Sequence, residues 1–456
     1  MTKHATVLIL DFGSQYTKLI ARRMREFGVF SMILPGDASF EKIQKINAKA
    51  IVLSGGPSSV YEKEAPKMSD EFWSYQLQEQ IPMLGICYGM QMLVERFGGK
   101  VEQASKREYG KMKVIPSDPS ALFADQSEFA AWMSHGDETV KIPDGFKVVA
   151  NSESGSVAAI ENAQLKLYGL QFHPEVTHTE KGLEFLKHFV CKTASVEPDW
   201  SMSSVVEEQV KKIKSLCKPE DHVICALSGG VDSTVAATLV QSAIGERLHC
   251  VFVDHGLLRF QERERVMEMF ENNLNLSVTC IDASAQFLSK LKGVTDPEQK
   301  RKIIGAEFIA VFREYAQKLS QEVGIQPRFL VQGTLYPDVI ESSGSKYAQT
   351  IKSHHNVGGL PKDLGFELIE PLRDLFKDEV RTLGRFLKIP GEFLDRHPFP
   401  GPGLAVRILG EITEENVRIL QHVDEIFIQA LHEHGIYHEI WQAFAVFLPI
   451  RSVGVQ

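Results

Sequence analysis

Short runs of apolar residues alternate along the chain with segments whose apolar residues recur every three or four positions. The first apolar runs, at 5–10, 50–53 and 82–84, are rich in aliphatic residues and lead into glycine-containing turns, which is typical of buried parallel strands. Between them, Ile20 and Met24 have helical spacing. The alternation predicts an α/β fold with doubly wound parallel sheets, whose ligands bind beyond the carboxyl ends of the strands.

The same alternation resumes in the second half of the chain. The stretch 192–199 is small, polar and contains a proline, as in a linker. An amphipathic helix is predicted over 205–216, and further apolar runs follow at 223–227, 250–253 and 329–331. We therefore expect two parallel-sheet domains in tandem.

The composition is ordinary for a globular protein. The chain has 456 residues, enough for two or three domains. Its net charge of −9 argues against binding to nucleic acid or to an anionic membrane, and no apolar run reaches the roughly 18 residues of a membrane-spanning helix. The six cysteines show no close pairing pattern, which is typical of a reducing compartment. We expect a cytoplasmic protein with neither nucleic acid nor membrane as a partner.

The segment Ser228–Ser233, with the sequence SGGVDS, follows an apolar run and opens a predicted helix. A strand, a glycine turn and a helix direct backbone N–H groups and the positive end of the helix dipole towards an anion. Asp232 would repel a phosphate unless a divalent cation lay between them, so the segment predicts pyrophosphate and magnesium. It lacks the lysine of the common nucleotide-binding loop. An ordinary strand–turn–helix connection is the alternative interpretation.

The full string SGGVDS resembles the signature of the ATP pyrophosphatases, which split ATP into AMP and pyrophosphate and have an adenine-nucleotide-hydrolase-like fold. The resemblance implies ATP as a co-substrate and Mg²⁺ at Asp232. Asp338 and Glu341 could assist the metal, but a solvated acidic loop explains them equally well. The implied ATP-binding residues are Ser228, Gly229, Gly230, Val231, Asp232, Ser233, Thr234, Val253, Leu258 and Gly333.

Cys87 lies in the string GICYG, between an apolar run and a predicted helix. Glycines at this spacing are typical of a nucleophile elbow, and the positive end of the following helix favours a thiolate. A buried structural cysteine is the alternative interpretation. His173 and Glu175 favour catalysis, because side chains two residues apart in an extended segment share a face. His173 could then accept the thiol proton while Glu175 orients its ring.

Cys87 in GICYG, with His173 and Glu175 in QFHPE, resembles the catalytic set of the class I glutamine amidotransferases, a family with a flavodoxin-like fold. The strings DFGSQY, SGGP and WMSHGD occur at matching places in the GMP synthetase branch of this family. The resemblance implies that backbone N–H groups of Gly56 and Tyr88 stabilise the oxyanion, at about 3 kcal/mol per donor. The implied glutamine-binding residues are Gln91, Ser134, His135 and Gly136.

The string HPFPGPGLAVR at 397–407 is characteristic of GMP synthetases, and its prolines and glycines cannot continue a helix. By this resemblance Arg301 contacts xanthosine monophosphate (XMP) and Lys377 neutralises pyrophosphate oxygens. A solvated charge run is the alternative for Arg301, and an exposed helix with alternating charge is the alternative for Lys377. The resemblance also implies a mobile lid containing Lys352, His354 and His355.

These patterns divide the chain into four expected parts. We expect a glutamine amidotransferase domain at 1–194, a linker at 195–204, an ATP pyrophosphatase domain at 205–400, and a partial α+β dimerisation and substrate-binding domain at 401–456. The last part contains a strand-like run at 443–450. It also contains a predicted helix with Val417, Leu420, Val423 and Phe427 at helical spacing.

The strand-like run near Gln456 has no later segment to pair with, and a lone strand is marginal in water. The GMP synthetase family continues past this point with dimer contacts and further substrate residues. We therefore expect an incomplete C-terminal domain. A homodimer is expected of complete members of the family and is doubtful for this chain.

The resemblance implies GMP synthesis from glutamine, ATP and XMP. Ammonia from a Cys87 thioester would aminate adenylated XMP, with release of AMP and pyrophosphate. A truncated form that keeps glutaminase activity and ATP binding but is impaired as a synthetase is one alternative. Another glutamine-dependent ATP pyrophosphatase, such as an NAD synthetase, is a second alternative. A catalytically silent regulator or nucleotide-binding module is a third.

Overall fold

A computed structural model describes residues 4–117, 120–123, 127–274, 276–322, 324–342 and 366–450 of the chain. The described residues form two compact units. The first contains the residues up to Ser201 together with 340–342, and the second contains the remaining residues from Met202 onward. No helix in these ranges is long and apolar enough to cross a membrane.

The first unit is built on a nine-stranded sheet with the order β2-β1-β3-β4-β9-β8-β7-β5-β6. The five strands from β2 to β9 are parallel, as the alternation of strands and helices predicts. The next four strands extend the sheet in antiparallel fashion, which the pattern did not predict. The strands are β1 (Thr6–Asp11), β2 (Phe30–Pro35), β3 (Ala50–Leu53), β4 (Met83–Ile86), β5 (Lys100–Pro116), β6 (Phe129–Lys141), β7 (Lys147–Ser152), β8 (Val157–Asn162) and β9 (Leu167–Leu170).

Helices connect the parallel strands of this sheet. Leu8, Leu53 and Met83 on adjacent strands are fully buried, as expected for a sheet covered by helices. The first helix buries Ile20 and Met24, the residues with predicted helical spacing. The helices are α1 (Thr17–Glu26), α2 (Phe40–Ile46), α3 (Asp70–Glu79), α4 (Tyr88–Arg96) and α5 (Gly182–His188).

The second unit has a five-stranded, wholly parallel sheet with the order β12-β11-β10-β13-β14. The strands are β10 (His222–Leu227), β11 (Leu248–Asp254), β12 (Val278–Asp282), β13 (Pro327–Val331) and β14 (Glu367–Ile369). The helices of this part of the chain are α6 (Met202–Leu216), α7 (Val231–Ile244), α8 (Glu262–Asn272), α9 (Ser284–Leu291), α10 (Pro297–Glu322), α11 (Tyr336–Ser342), α12 (Lys377–Phe386), α13 (Gly391–Leu394) and α14 (Glu414–Glu433). The last three residues of α11, 340–342, belong to the first unit. The predicted amphipathic helix at 205–216 thus begins three residues earlier.

The proline- and glycine-rich segment packs against the loop after β11. Gly403 has a φ of +62°, and a Cβ atom there would collide with the carbonyl oxygen of Leu257. The neighbouring Leu404 N–H donates to that same oxygen at 2.8 Å. Glycine at 403 is therefore required both by the left-handed backbone and by the close approach of two chain segments.

One expectation about the last part of the chain is wrong and another is confirmed. The run at 443–450 is not a strand, because its one ladder contact is a bridge between Phe447 and Ile408. That bridge pairs it with an earlier segment, through hydrogen bonds to Arg407 and Leu409. The predicted helix is present as α14 and buries Val417 and Leu420, but Val423 and Phe427 are 48% and 40% exposed.

Candidate active sites

Cys87 lies in the sharp turn between β4 and α4, where it is the N-cap of the helix. Its backbone has φ +50° and ψ −106°, a conformation that costs an L-residue of order 1–3 kcal/mol. The turn is held by a 2.7 Å hydrogen bond from the Cys87 N–H to the Leu170 carbonyl. A Cβ atom on Gly89 would collide with Leu53, which explains the glycine after the nucleophile. The predicted nucleophile elbow is therefore present.

His173 and Glu175 form a buried pair just after β9. Nδ1 of His173 lies 2.8 Å from Oε1 of Glu175, and the two side chains are 5% and 0% exposed. The residues lie in a turn, so the expectation that they share the face of an extended segment is wrong. The turn is held by Thr179, whose hydroxyl donates to the His173 carbonyl at 2.6 Å.

The surroundings of His173 favour its charged form. Burial lowers the pKa of the imidazole, but the Glu175 carboxylate and the neighbouring Cys87 raise it more, to about 10. An imidazolium beside a cysteine favours the thiolate, which is the nucleophilic form of the side chain. The carboxylate stabilises this charge and orients the ring, since its hydrogen bond occupies Nδ1 and leaves Nε2 for proton transfer.

Cys87 and His173 open into one cavity of about 710 Å³. All six residues predicted to form the oxyanion and glutamine sites line this cavity, namely Gly56, Tyr88, Gln91, Ser134, His135 and Gly136. Two contacts reach the sulfur: the Ser134 carbonyl oxygen at 3.8 Å and Nε2 of Gln171 at 3.7 Å. The cavity has room for a small polar substrate beside the nucleophile.

Several cavity residues were missed by sequence reasoning. Asp137 closes one side of the cavity, where its carboxylate accepts hydrogen bonds from Ser59 at 2.6 Å and Tyr61 at 2.9 Å. The ring of Tyr16 packs edge-on against His173 with centroids 5.2 Å apart. Asp137 and Tyr16 belong to the strings WMSHGD and DFGSQY. The sequence motifs therefore included both residues, but the contacts that these residues make could not be predicted from the motifs.

The predicted nucleotide loop joins β10 to α7 in the second unit. Its hydroxyls hold the turn: Oγ of Ser228 lies 3.1 Å from Oγ of Ser233 and accepts from the Gly230 N–H at 3.3 Å. Thr234 donates to the Gly230 carbonyl at 2.9 Å. Gly229 has a φ of +70°. The loop therefore has the shape of an anion cradle at a helix N-terminus.

Other predicted ATP-binding residues lie at the same edge of the sheet. Val231 begins α7, directly after the loop. Gly333 follows β13, and its ideal Cβ position is 3.4 Å from Asp232. Val253 is the last residue but one of β11, and Leu258 lies in the loop after that strand; each is 6% exposed. The carboxyl ends of three neighbouring parallel strands thus bring these residues together, as expected for this fold class.

The structure pairs two residues that were predicted to have separate roles. Nζ of Lys377 lies 2.5 Å and 2.6 Å from the two carboxylate oxygens of Asp232. Mg²⁺ is commonly held by one or two carboxylates together with substrate phosphates, so Asp232 at the mouth of the loop fits that metal.

The two assisting carboxylates are not assembled into a metal site. Asp338 caps its own helix, because its Oδ2 accepts from the Leu335 N–H at 2.9 Å. Glu341 lies near the end of that helix with 52% of its side chain exposed. Within the described ranges, no group of three or more potential ligands is arranged to hold a metal. The predicted lid residues Lys352, His354 and His355 lie outside those ranges.

The basic run at the start of α10 contains two different kinds of residue. Arg301 is exposed and pairs with Glu298 at 3.3 Å, so its side chain is accessible to a ligand. Lys300 is 1% exposed, and sequence reasoning missed it. Burial lowers the pKa of its ammonium group. That group donates to the carbonyl oxygens of Ala405, Ile408 and Gly410 at 3.2, 2.7 and 2.7 Å.

Two protein families match the two halves of the chain. Residues 8–193 match the glutamine amidotransferase class-I family, and residues 201–323 match the NAD synthase family. The first stretch contains the cavity at Cys87, and the second contains the loop that joins β10 to α7.

Proteins named glutamine-hydrolyzing GMP synthase match nearly the whole chain. The protein from Brachyspira hyodysenteriae is 52% identical over 451 residues, covering 98% of this chain and 86% of that protein. The protein from Pelodictyon phaeoclathratiforme is 54% identical over 459 residues, covering 99% and 87%. The protein from Thermosipho africanus is 53% identical over 452 residues, covering 99% and 87%.

Among solved structures, a putative GMP synthase protein from Thermoplasma acidophilum is 30% identical and covers 43% of this chain and 96% of its own length, with a TM-score of 0.37. A glutamine amidotransferase from Thermotoga maritima is 25% identical and covers 43% of this chain and 88% of its own length, with a TM-score of 0.31.

Proposed function

This chain belongs to the family of glutamine-hydrolysing GMP synthases, and from that premise we propose how its two sites divide the reaction. The cavity at Cys87 releases ammonia from glutamine. The loop at Ser228–Thr234 binds ATP and activates XMP. The relatives that support this assignment match 98–99% of the chain, so both sites are included.

In the first site the Cys87 thiolate attacks the side-chain carboxamide carbon of glutamine. Backbone N–H groups of Gly56 and Tyr88 stabilise the oxyanion of the tetrahedral intermediate. His173 gives a proton to the departing nitrogen, ammonia leaves, and a thioester remains on Cys87. Water then hydrolyses the thioester with His173 as the base, which releases glutamate. The buried Glu175 keeps the imidazole oriented through both steps.

In the second site the glycine loop and the start of α7 hold the phosphates of ATP, and Lys377 contacts the same oxygens. When bound at Asp232, Mg²⁺ supplies charge neutralisation to these phosphates. The C2 oxygen of XMP, held by Arg301, takes the AMP group while pyrophosphate departs. Ammonia then displaces AMP and leaves GMP.

The observation that carries the proposal is that Cys87, His173 and all six predicted substrate residues line one cavity. The test is Cys87→Ser in the full chain, assayed with glutamine or with ammonium chloride as the nitrogen source. We expect loss of more than about a thousandfold with glutamine, as for the removal of a catalytic nucleophile, and less than twofold change with ammonia. A parent chain that makes no GMP from either source would contradict the synthetase assignment.

An NAD synthetase remains the relevant alternative, because the NAD synthase family matches residues 201–323. The relatives that match the entire chain are GMP synthases, and they favour XMP as the acceptor. Pyrophosphate release in the presence of XMP, compared with release in the presence of deamido-NAD, separates the two functions directly.

We also propose that the chain forms a homodimer through the outer face of α14. Ile419, Val423 and Ile426 recur at helical spacing on this helix, and they are 42%, 48% and 68% exposed. Trp441, in the segment that follows the helix, is 78% exposed. Contiguous exposed apolar residues of this kind are typical of an interaction surface.

A further inference from the structure

Glu108 is a buried carboxylate in the first unit that the reaction scheme does not use. It lies on β5, opposite His135 of β6 in the antiparallel ladder, and is 3% exposed. Its Oε2 is 3.1 Å from Nε2 of His135. Its Oε1 accepts from Ser152 at 2.7 Å and also from Ser154. The Glu108 carboxylate therefore forms hydrogen bonds with β6, with the end of β7 and with the turn that follows β7.

Both ring nitrogens of His135 have a hydrogen-bond partner. Nδ1 faces the Asp137 carbonyl oxygen at 2.9 Å, and a carbonyl can only accept, so Nδ1 carries a proton. Burial raises the pKa of Glu108, but hydrogen bonds from His135, Ser154 and Ser152 lower it more, to about 2. The Glu108 carboxylate is therefore ionised at neutral pH. Glu108 and His135 form one buried, hydrogen-bonded pair.

The Glu108–His135 pair holds in place residues 134–137 of β6, which lie beside Cys87. The Ser134 carbonyl oxygen lies 3.8 Å from the sulfur. The Asp137 carbonyl oxygen, bound to Nδ1 of His135, also accepts from Nε2 of Gln91 at 3.4 Å. Residues 134–137 all line the cavity. Because the ring of His135 is held at both nitrogens, its position fixes the backbone on either side of it.

We propose that Glu108 is a positioning residue for glutamine, acting through His135 on the cavity edge formed by residues 134–137. The inference rests on the proposed glutaminase function of this cavity. Glu108 sets the shape of the subsite and not the charge of the nucleophile, since its hydrogen bonds go to His135, Ser152 and Ser154. The residue that is hydrogen-bonded to Cys87 is instead His173, which Glu175 orients.

The test compares two reagents on the full chain with Glu108→Gln, which keeps the side-chain shape and removes the charge. The glutamine analogue 6-diazo-5-oxo-L-norleucine alkylates Cys87 only from the glutamine subsite, whereas iodoacetamide needs only the thiolate. Loss of a charged hydrogen bond corresponds to a change of about 10- to 100-fold. We expect the KM for glutamine to rise, and inactivation by the analogue to slow, by that factor, with iodoacetamide alkylation of Cys87 and ammonia-dependent activity within about twofold of the parent.

The matched control is Glu102→Gln, which removes an exposed carboxylate from the same strand. It should leave all four measurements unchanged. If Glu108 acts through His135, the KM for glutamine of the double variant Glu108→Gln with His135→Gln should be no higher than that of the more impaired single variant. If the effects of the two single variants on KM instead combine in full in the double variant, Glu108 acts by another route, and this would overturn the proposal.

Two further outcomes also overturn it. An unchanged KM for Glu108→Gln shows that the subsite does not depend on the pair. An equal slowing with both reagents shows that the variant disturbs the nucleophile or the whole unit. If Glu108→Gln does not fold, Ser152→Ala removes one hydrogen bond to the Glu108 carboxylate but keeps the carboxylate itself, and should shift the KM in the same direction. A parent chain that is itself insensitive to the analogue would refute the glutaminase function, a result distinct from these.

Discussion

The ammonium nitrogen of Lys377 lies 2.5 Å from one carboxylate oxygen of Asp232 and 2.6 Å from the other. Lys377 is the first residue of α12, where the helix dipole disfavours a cation, and Asp232 lies in the first turn of α7, where the dipole favours an anion. The pair therefore offsets an unfavourable placement of the lysine. MgATP offers a cation to Asp232 and an anion to Lys377, so we expect its binding to separate them.

Replacing Lys377 with glutamine should weaken the use of ATP. One charged hydrogen bond to phosphate is lost, which corresponds to a rise of about 10- to 100-fold in the KM for MgATP. ATP–pyrophosphate exchange in the presence of XMP measures this, with glutaminase activity as the internal reference. Lys211→Gln, at an exposed position on α6, is the matched control. An unchanged KM would mean that Lys377 serves only to pair with Asp232.

Replacing Glu175 with glutamine should move the alkaline limit of glutaminase activity to lower pH. In the parent chain burial lowers the pKa of His173, but Glu175 and Cys87 raise it to about 10. Without the carboxylate this pKa falls towards the ordinary value of 6.5, so the imidazolium that protonates the departing nitrogen is lost at a lower pH. The pH profile of kcat for glutamine hydrolysis checks this, and coincident alkaline limbs in parent and variant would contradict it.

The same pair predicts a pH dependence of stability. A pKa that is raised in the folded state stabilises the protein fully below the unfolded value of 6.5, and the contribution is lost as the pH rises through about 10. The difference in free energy of unfolding between parent and Glu175→Gln should therefore shrink between those two limits. Urea titrations of both proteins at several pH values measure it.

Replacing Cys87 with glycine should stabilise the first unit relative to Cys87→Ala. The φ of +50° with ψ −106° strains any residue with a Cβ atom, and the relief of about 1–3 kcal/mol exceeds the roughly 0.5–1 kcal/mol that glycine loses through backbone entropy. A net gain near 1 kcal/mol corresponds to about 2–4 °C in the midpoint of thermal unfolding. Equal midpoints for the glycine and alanine variants would show that the turn is unstrained.

Replacing Lys300 should lower stability, whereas replacing the neighbouring Arg301 should weaken substrate binding. Lys300→Met leaves two buried carbonyls and one partly buried carbonyl without their donor and should lower the free energy of unfolding by at least about 2 kcal/mol. Arg301→Gln, at the exposed neighbouring position, should leave stability within about 0.5 kcal/mol and raise the KM for XMP. Denaturant titration and steady-state kinetics on both variants check the division, which a stable Lys300→Met protein would contradict.

The exposed face of α14 should control self-association. The double variant Ile426→Lys and Trp441→Ser removes two of the most exposed apolar side chains of the second unit. We expect a dimeric parent and a monomeric variant in sedimentation velocity, because a charge at the centre of an apolar interface is costly. Glutaminase activity should not change. A parent that is monomeric at micromolar concentration would refute the homodimer.

The elements that depend on local pattern were predictable from the sequence. The apolar runs at 50–53 and 223–227 are strands whose residues, apart from the exposed Ala226, are buried, and glycines after them mark where the chain must turn. Cys87 and the loop at 228–233 lie at such turns. Their chemistry was therefore visible in the residues themselves, and family resemblance supplied their substrates.

What depends on distant contacts was decided only by the tertiary structure. The antiparallel extension places Glu108 opposite His135, and a ladder register cannot be read from either strand alone. Lys300 and Arg301 are adjacent and both basic. Lys300 is buried and donates to a carbonyl oxygen more than a hundred residues away, whereas Arg301 is exposed. Burial and hydrogen bonding of a charged side chain are set by the segments that pack around it, and the local sequence does not contain them.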